Sequence, residues 1–286
     1  MAFWRGAWQA ALDAFEEGMR LEGSGTVAGA CWAATVLVLA HLGDETRCRA
    51  MLADLPLDFP TPGRPSSLGQ WTGVLMATEA LALLGAREEA AANYELVLEA
   101  MAAGNVLRGY DNRLLPAVAG IAAGAAELWE TAENHFRHAL HLAEALPHRI
   151  DQADVRRLYA LMLMRRDAAG DAAAARQLLQ EAAAAYSEIG MRGHLHMAQT
   201  LLADLKSRPA GRRARTRQAD GLTEREVEVL TLLAAGRTSK EVARQLSLSI
   251  TTVQRHIANI YMKIGASNRA EATAYVLRGG IERPST

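Results

Sequence analysis

Between Ser249 and Ile264 the sequence sorts its residues by chemistry at helical spacing. Val253, Ile257, Ile260 and Ile264 fall on one narrow face of a helix. Opposite them stand Thr251, Arg255, Ala258 and Met262, with Gln254 and Asn259 on the shoulders. That second face has a defined capability. An arginine guanidinium can pair with guanine, and a glutamine amide can pair with adenine or a phosphate. A methyl group such as that of Ala258 permits close approach or contact with a thymine methyl.

The neighbouring elements are spaced to hold such a helix. Thr223 with Glu226 has the pattern of a capping box, so a helix is expected from about Glu224. Val227, Leu230 and Leu233 give it an apolar face, and Gly236 ends it. Thr238 with Glu241 repeats the capping box and opens a short helix with Val242, Ala243 and Leu246 inward. A brief turn at Ser247-Leu248 follows, and Ser249 can cap the two-faced helix. Asn268 with Glu271 opens a fourth. A short helix, a tight turn and a second helix with a polar face form the helix-turn-helix arrangement, whose second helix enters the major groove by its N-terminal part.

Five ordered motifs carry a family resemblance. They are Leu222-Thr-Glu-Arg-Glu-Val-Glu-Val-Leu230, Ser239-Lys-Glu-Val-Ala243, Thr252-Val-Gln-Arg-His256, Lys263-Ile-Gly265 and Asn268-Arg-Ala-Glu-Ala272. Together they resemble the LuxR-type helix-turn-helix domain. The resemblance implies that Gln254, Arg255 and Ala258 approach bases. It implies that Lys240, Thr252 and Lys263 face backbone phosphates. Thr251 and Asn259, beside the same face, complete the expected DNA-binding set. Ala258 stands where the family often has a longer basic side chain, which bears on base preference. The segment Arg269 to Leu277 resembles the family's dimerisation helix, which implies a homodimer on a two-half-site operator. Ala272, Val276 and Leu277 also suit an ordinary core, and one helix can serve both.

The charge distribution agrees with a nucleic-acid-binding end. Residues 1–205 carry 16 basic and 25 acidic side chains, a net of −9, whereas residues 206–286 carry 15 and 7, a net of +8. A compact basic region on an acidic body suggests a polyanion-binding module. Residues 206–220 contain six basic residues with Pro and Gly, and read as a flexible spacer that could also track phosphates. Lysine occurs only at 206, 240 and 263, a bias that a GC-rich genome explains.

The rest of the chain repeats. A small residue recurs at 11, 48, 90, 132 and 175, with a large apolar residue four positions later at Phe15, Leu52, Tyr94, Phe136 and Leu179. Four residues are about one helical turn, so each pair shares a face: the small member admits a neighbouring helix and the large one fills the gap. Apolar helical segments precede four of these turns, at 27–42, 68–84, 114–127 and 153–168. Such units resemble elongated tetratricopeptide (TPR) repeats. With 57 alanines and 5% aromatic residues, the expected fold is all-α: a TPR-like α-solenoid over 1–205, a basic linker over 206–220, and a four-helix LuxR-type domain over 221–286. Pro56, Pro60, Pro62 and Pro65 mark a long connection, and Pro147 a second break. The first repeat begins at its turn, Gly6, as if an upstream helix preceded it. A lone first helix acting as a cap reads the same way.

Other chemistries find little support. Large ATP-binding LuxR regulators also join a helical-repeat body to such a C-terminus, but no G-x-x-x-x-G-K-[ST] run occurs here, and the Gly23, Gly25, Gly29 cluster has the wrong spacing. His135, His138 and His141, with Glu144, form a row better read as solvated or groove-facing than as a metal site. His194 and His196 lie near a helix start and carry no stronger reading. Trp4, Trp8, Trp32, Trp71 and Trp129 read as packing residues. No G-x-S-x-G or H-E-x-x-H run exists. No catalytic site, metal or cofactor is expected. Two cysteines, the absence of a signal-like leader, and an apolar run from Ala28 to Ala40 too short to span a bilayer point to a cytoplasmic protein without a membrane span. The function expected is DNA-binding transcription regulation. Its partners would be double-stranded DNA, a second copy of the chain, and an unknown protein or small-molecule effector at the repeats. The alternatives are a protein-interaction scaffold and the C-terminal fragment of a larger ATP-dependent switch.

Overall fold

The computed structural model describes residues 2–21, 28–55, 58–109, 111–207, 222, 224–246, 248 and 250–278. The chain divides into two units, residues 1–208 and 209–286. Both are helical among the described residues. Of the expected linker, Lys206 and Ser207 belong to the last helix of the first unit, and 208–220 lie outside the described residues.

The first unit holds α1 (Ala2–Arg5), α2 (Trp8–Leu21), α3 (Ala30–Leu42), α4 (Glu45–Ala53), α5 (Leu68–Leu83), α6 (Arg87–Ala92), α7 (Tyr94–Ala102), α8 (Leu115–Ala125), α9 (Trp129–Ala145), α10 (Arg149–Arg166), α11 (Asp171–Ile189) and α12 (Arg192–Ser207). Successive helices pack as α3 with α4, α5 with α6 and α7, α8 with α9, and α10 with α11. The small members of the repeat are all buried: Ala11, Cys48, Ala90, Ala132 and Ala175 are at most 2% exposed. Tyr94, Phe136 and Leu179 fill the gaps beside them, while Phe15 and Leu52 remain half-buried. Close approach also explains Gly120 on α8. A Cβ there would meet the Phe136 ring at 2.9 Å.

The first and last helices of this unit meet. A Cβ built on Gly6 would lie 2.4 Å from the Gly193 Cα, so two glycines are required where the backbones touch. Beside that contact Trp8 stacks on His41 with centroids 4.3 Å apart, and His194 lies 5.0 Å from Trp8. The His41 ring nitrogens and His194 Nδ1 are buried. Burial, followed by the nearby Arg157 charge, holds His41 down to about 3. Burial likewise lowers His194 to about 4, despite the opposing pull of Asp154.

A buried ionic network crosses the middle of the unit. Arg113 Nε contacts Glu79 Oε2 at 3.1 Å, Nη1 donates to Asp151 Oδ1 at 3.1 Å, and Nη2 donates to Asp154 Oδ2 at 2.6 Å. Arg108 Nη2 contacts the same Glu79 oxygen at 2.9 Å, and Arg108 also pairs with Asp111. The Leu114 N–H donates to Asp151 Oδ2 at 2.6 Å. Tyr186 on α11 donates to Asp154 and accepts from Arg157 Nε at 3.1 Å. Arg113, at the centre, is 1% exposed. Burial pushes the Asp154 carboxyl up, but Arg113, Arg157, His194 and the Tyr186 hydrogen bond together outweigh it and hold the carboxyl well below its usual range. The sequence reading singled out none of these residues. They are separated in sequence by up to 41 positions, and no local periodicity records such pairings.

Two expectations follow. Arg113→Met leaves three buried carboxylates without their shared cation and should cost about 3–5 kcal/mol. Arg149→Ala, at an ion pair whose side chains are 60% and 69% exposed, should change little. Urea unfolding followed by tryptophan fluorescence compares them, since all five tryptophans lie in this unit; equal small losses would contradict the network's role. The second concerns pH. The unfolded chain protonates His41 and His194 near 6.5, whereas the folded chain resists until about 3 and 4. From pH 6.5 downward the unfolded state binds more protons, so stability is greatest above that value and falls as the solution acidifies. The paired change His41→Gln and His194→Gln should flatten this profile between about pH 6.5 and pH 4; an unchanged slope would assign it elsewhere.

Candidate nucleic-acid interface

The second unit contains α13 (Glu224–Ala234), α14 (Ser239–Leu246), α15 (Ile250–Ile264) and α16 (Arg269–Leu277). The caps explain several boundaries. Glu241 N–H donates to Thr238 Oγ1 at 3.3 Å while Thr238 N–H donates to Glu241 Oε2 at 2.8 Å, the expected reciprocal box. Asn268 Oδ1 accepts from the Glu271 N–H at 3.0 Å and opens α16. Gly236, with φ of +89°, lets the chain turn back after α13, and Arg237 N–H donates to Leu232 O at 3.0 Å. The expected caps Thr223 and Ser249 lie outside the described residues.

These helices share one core. Leu222, Val229, Leu230, Val242, Val253 and Ile260 are fully buried, with Leu233, Ala243 and Ala272 almost so. Ile257 and Ile264 pack against them half-buried, so the apolar stripe expected on α15 faces inward. Val229 joins the core although the sequence reading omitted it. On α16, Ala272 is 2% exposed and Val276 packs inward, but Leu277 is 81% exposed.

The side of α15 away from this core is open. Gln254 and Ala258 are exposed, Met262 is 75% exposed, and Asn259 and Thr252 are half-buried. Lys240, on α14, is exposed. Thr251 and Arg255 lie on the α15 backbone, and their side chains fall outside the described residues. The backbone therefore brings Thr251, Thr252, Gln254, Arg255, Ala258 and Asn259 onto one short helix preceded by α14.

Lys263, for which a phosphate is the expected partner, makes an ion pair within the fold. Its Nζ lies 2.7 Å from both oxygens of Glu226, which is 3% exposed. A buried carboxylate needs a partner, and this ammonium supplies it, joining the last turn of α15 to the first of α13. Two other cations have similar duties that the sequence reading missed. Arg269 Nη2 donates to the carbonyls of Leu233 and Arg237, each at 2.8 Å, at the end of α13. Arg225 Nη2 donates to Leu246 O at 2.6 Å, at the end of α14. Helix C-termini offer such unpaired carbonyls.

Among the described residues no group of His, Cys, Asp and Glu is placed to hold a metal ion. His135 in the first unit hydrogen-bonds Tyr94 across 2.8 Å instead. No described helix is long and apolar enough to cross a membrane.

A short helix, a turn and a second helix with one face buried and one open define a helix-turn-helix domain. Residues 220–276 match the family of bacterial regulatory proteins described as the luxR family. The spore germination protein GerE of Bacillus subtilis is 44% identical over 59 residues, covering 21% of this chain and 80% of that protein. The chain belongs to the luxR family through this domain. The transcriptional regulatory protein LiaR of Bacillus subtilis is 44% identical over 62 residues, 22% of this chain and 29% of that protein. The HTH-type transcriptional regulator MalT of Yersinia pestis is 39% identical over 57 residues, 20% of this chain but 6% of that protein. The chain thus spans less than half the length of the first curated relatives it matches. LiaR and MalT are named as transcriptional regulators, and none of the three is named as an enzyme. No solved structure matches the chain.

The placements of Lys263 and Lys240 predict opposite phenotypes. Lys263→Ala should lower the melting temperature of the second unit, because it takes the ammonium away from the buried Glu226 carboxylate. Lys240→Ala should leave melting unchanged and reduce the slope of log affinity against log salt by about one. Calorimetry and DNA titrations over a salt series check both; a changed melting temperature for Lys240→Ala with no change in slope would refute the assignment.

Proposed function

We propose that this chain regulates transcription by binding double-stranded DNA through α15. The observation that carries this reading is the division of α15 into a stripe held in the core and an open side that bears Gln254 and Ala258. In this reading Gln254, Arg255 and Ala258 meet base edges, with Thr251 and Asn259 beside them. Lys240 and Thr252 contact the phosphates. Lys263 acts through Glu226 by fixing the helix. The LuxR-family membership of residues 220–276 supports the same reading. The exposed Leu277 suits a contact between two copies, and two copies would read two half-sites. The first unit, whose hairpins and small-large spacing are TPR-like, acts as the sensing or docking body for an effector.

Selection of bound duplexes from a random pool by the full chain tests this, with near-physiological salt. A palindromic motif is expected. Arg255→Ala should weaken binding to that motif by about 1–3 kcal/mol while affecting random DNA far less. Equal loss on both would remove Arg255 from base recognition. No enrichment, with affinity indifferent to salt, would favour an interaction scaffold instead.

A further inference from the structure

The first unit contains a cavity of about 240 Å³ between α5, the end of α7, the start of α8 and the turn at 105–109. Its walls include Leu68, Trp71, Leu75, Ala100 and Leu115, and no ionisable side chain lines it. Charged ligands would therefore lose their hydration without compensation. An apolar cavity of about 150 Å³ can hold benzene, so this space suits a slightly larger molecule. The neighbouring surface is apolar as well: Leu68 is 47%, Val106 44% and Leu107 38% exposed.

One hydroxyl lies in the wall. Thr72 is 3% exposed and lines the cavity. Buried Thr35 and Thr78 donate to the carbonyls four residues back, at 2.8 Å to Cys31 and 2.7 Å to Val74. Thr72, by contrast, shows no such bond to the carbonyl four residues back. Its Oγ1 faces Gly109, where an added Cβ would lie 3.2 Å away. A hydroxyl in the wall that makes no bond within its own helix offers a ligand hydroxyl or carbonyl a partner.

We propose that this cavity binds a small, uncharged amphipathic molecule with a compact apolar body and one hydroxyl or carbonyl, held against Trp71, Leu75 and Leu115 with its polar group on Thr72. This rests on the reading that the first unit takes an effector, and it names the effector's chemical class. The wall is joined to the buried ionic network. Leu75 O accepts from Arg108 Nη1 at 3.2 Å, and Leu115 follows Leu114, whose N–H is held by Asp151. Occupancy thus bears on the same contacts that tie α5 to α10.

The test titrates the full chain by ligand-observed NMR with 2-phenylethanol, ethylbenzene and phenylacetate. Saturable binding of the first two and none of phenylacetate is expected. Thr72→Val keeps the side-chain shape and should weaken 2-phenylethanol about two- to tenfold while leaving ethylbenzene unchanged. Ala100→Leu fills the space and should abolish both. Thermal unfolding checks that each variant folds, and Thr72→Val decides the matter if Ala100→Leu does not. Absent saturable binding of 2-phenylethanol, binding of phenylacetate as tight as that of the alcohol, or equal weakening of both neutral probes by Thr72→Val would overturn the proposal. Duplex binding by the same preparation is scored separately. Intact DNA binding without probe binding overturns the cavity alone, and probe binding without DNA binding overturns the DNA reading alone.

Discussion

One constraint governs the second unit: α15 can be buried on one side only. Val253 and Ile260 are fully covered, and each such side chain contributes about 1.5–3 kcal/mol by leaving water. Rotating the helix by one residue would expose them and bury polar groups such as Gln254. Burial alone sets the rotation of α15 coarsely. The Glu226–Lys263 pair fixes its last turn against α13, and Arg269 fixes α16 against the end of the same helix. The open side of α15 is thus a consequence of the core, and the proposed DNA contacts follow from it.

The first unit solves a different problem. Its repeat positions bury small and large apolar residues alternately, which packs helices but distinguishes one helical pair poorly from another. The buried network is specific where the repeat is generic. Arg113 has carboxylates from α5 and α10 around it, and Arg108 and Asp111 belong to the short segment before α8. Sliding one of these elements against the others would part these ion pairs. Such a network adds little net stability compared with apolar packing, yet breaking it is costly, so it defines which arrangement forms. The closely apposed Gly6 and Gly193 and the histidines beside them lie at the meeting of the first and last helices, where acidification would act.

Much of this was legible in the sequence where the physics is local. The helix pairs followed from apolar periodicity, and the repeated small residues at 11, 48, 90, 132 and 175 are all buried. The Thr238 and Asn268 caps followed from spacing of three residues. Helix ends moved by a few positions: α10 begins at Arg149 rather than at 153. The long-range polar contacts were illegible. Glu226 looked like part of a capping box and Lys263 like a phosphate ligand; their pairing joins residues 37 positions apart. Nothing in the sequence neighbours of Arg108, Arg113 and Arg157 announces their burial. The same holds for Thr72, whose hydroxyl gains meaning only from the cavity beside it.

The central claim, that the open side of α15 meets DNA, is tested most directly by site-specific cross-linking. A photoreactive label would be attached to Ala258→Cys, or to Thr231→Cys on an exposed position of α13, in a chain carrying Cys31→Ser, since the other cysteine, Cys48, is buried. Irradiation with duplex DNA at low salt should cross-link the label at 258 and spare the label at 231. Equal cross-linking from both positions, or none from 258, would contradict the account.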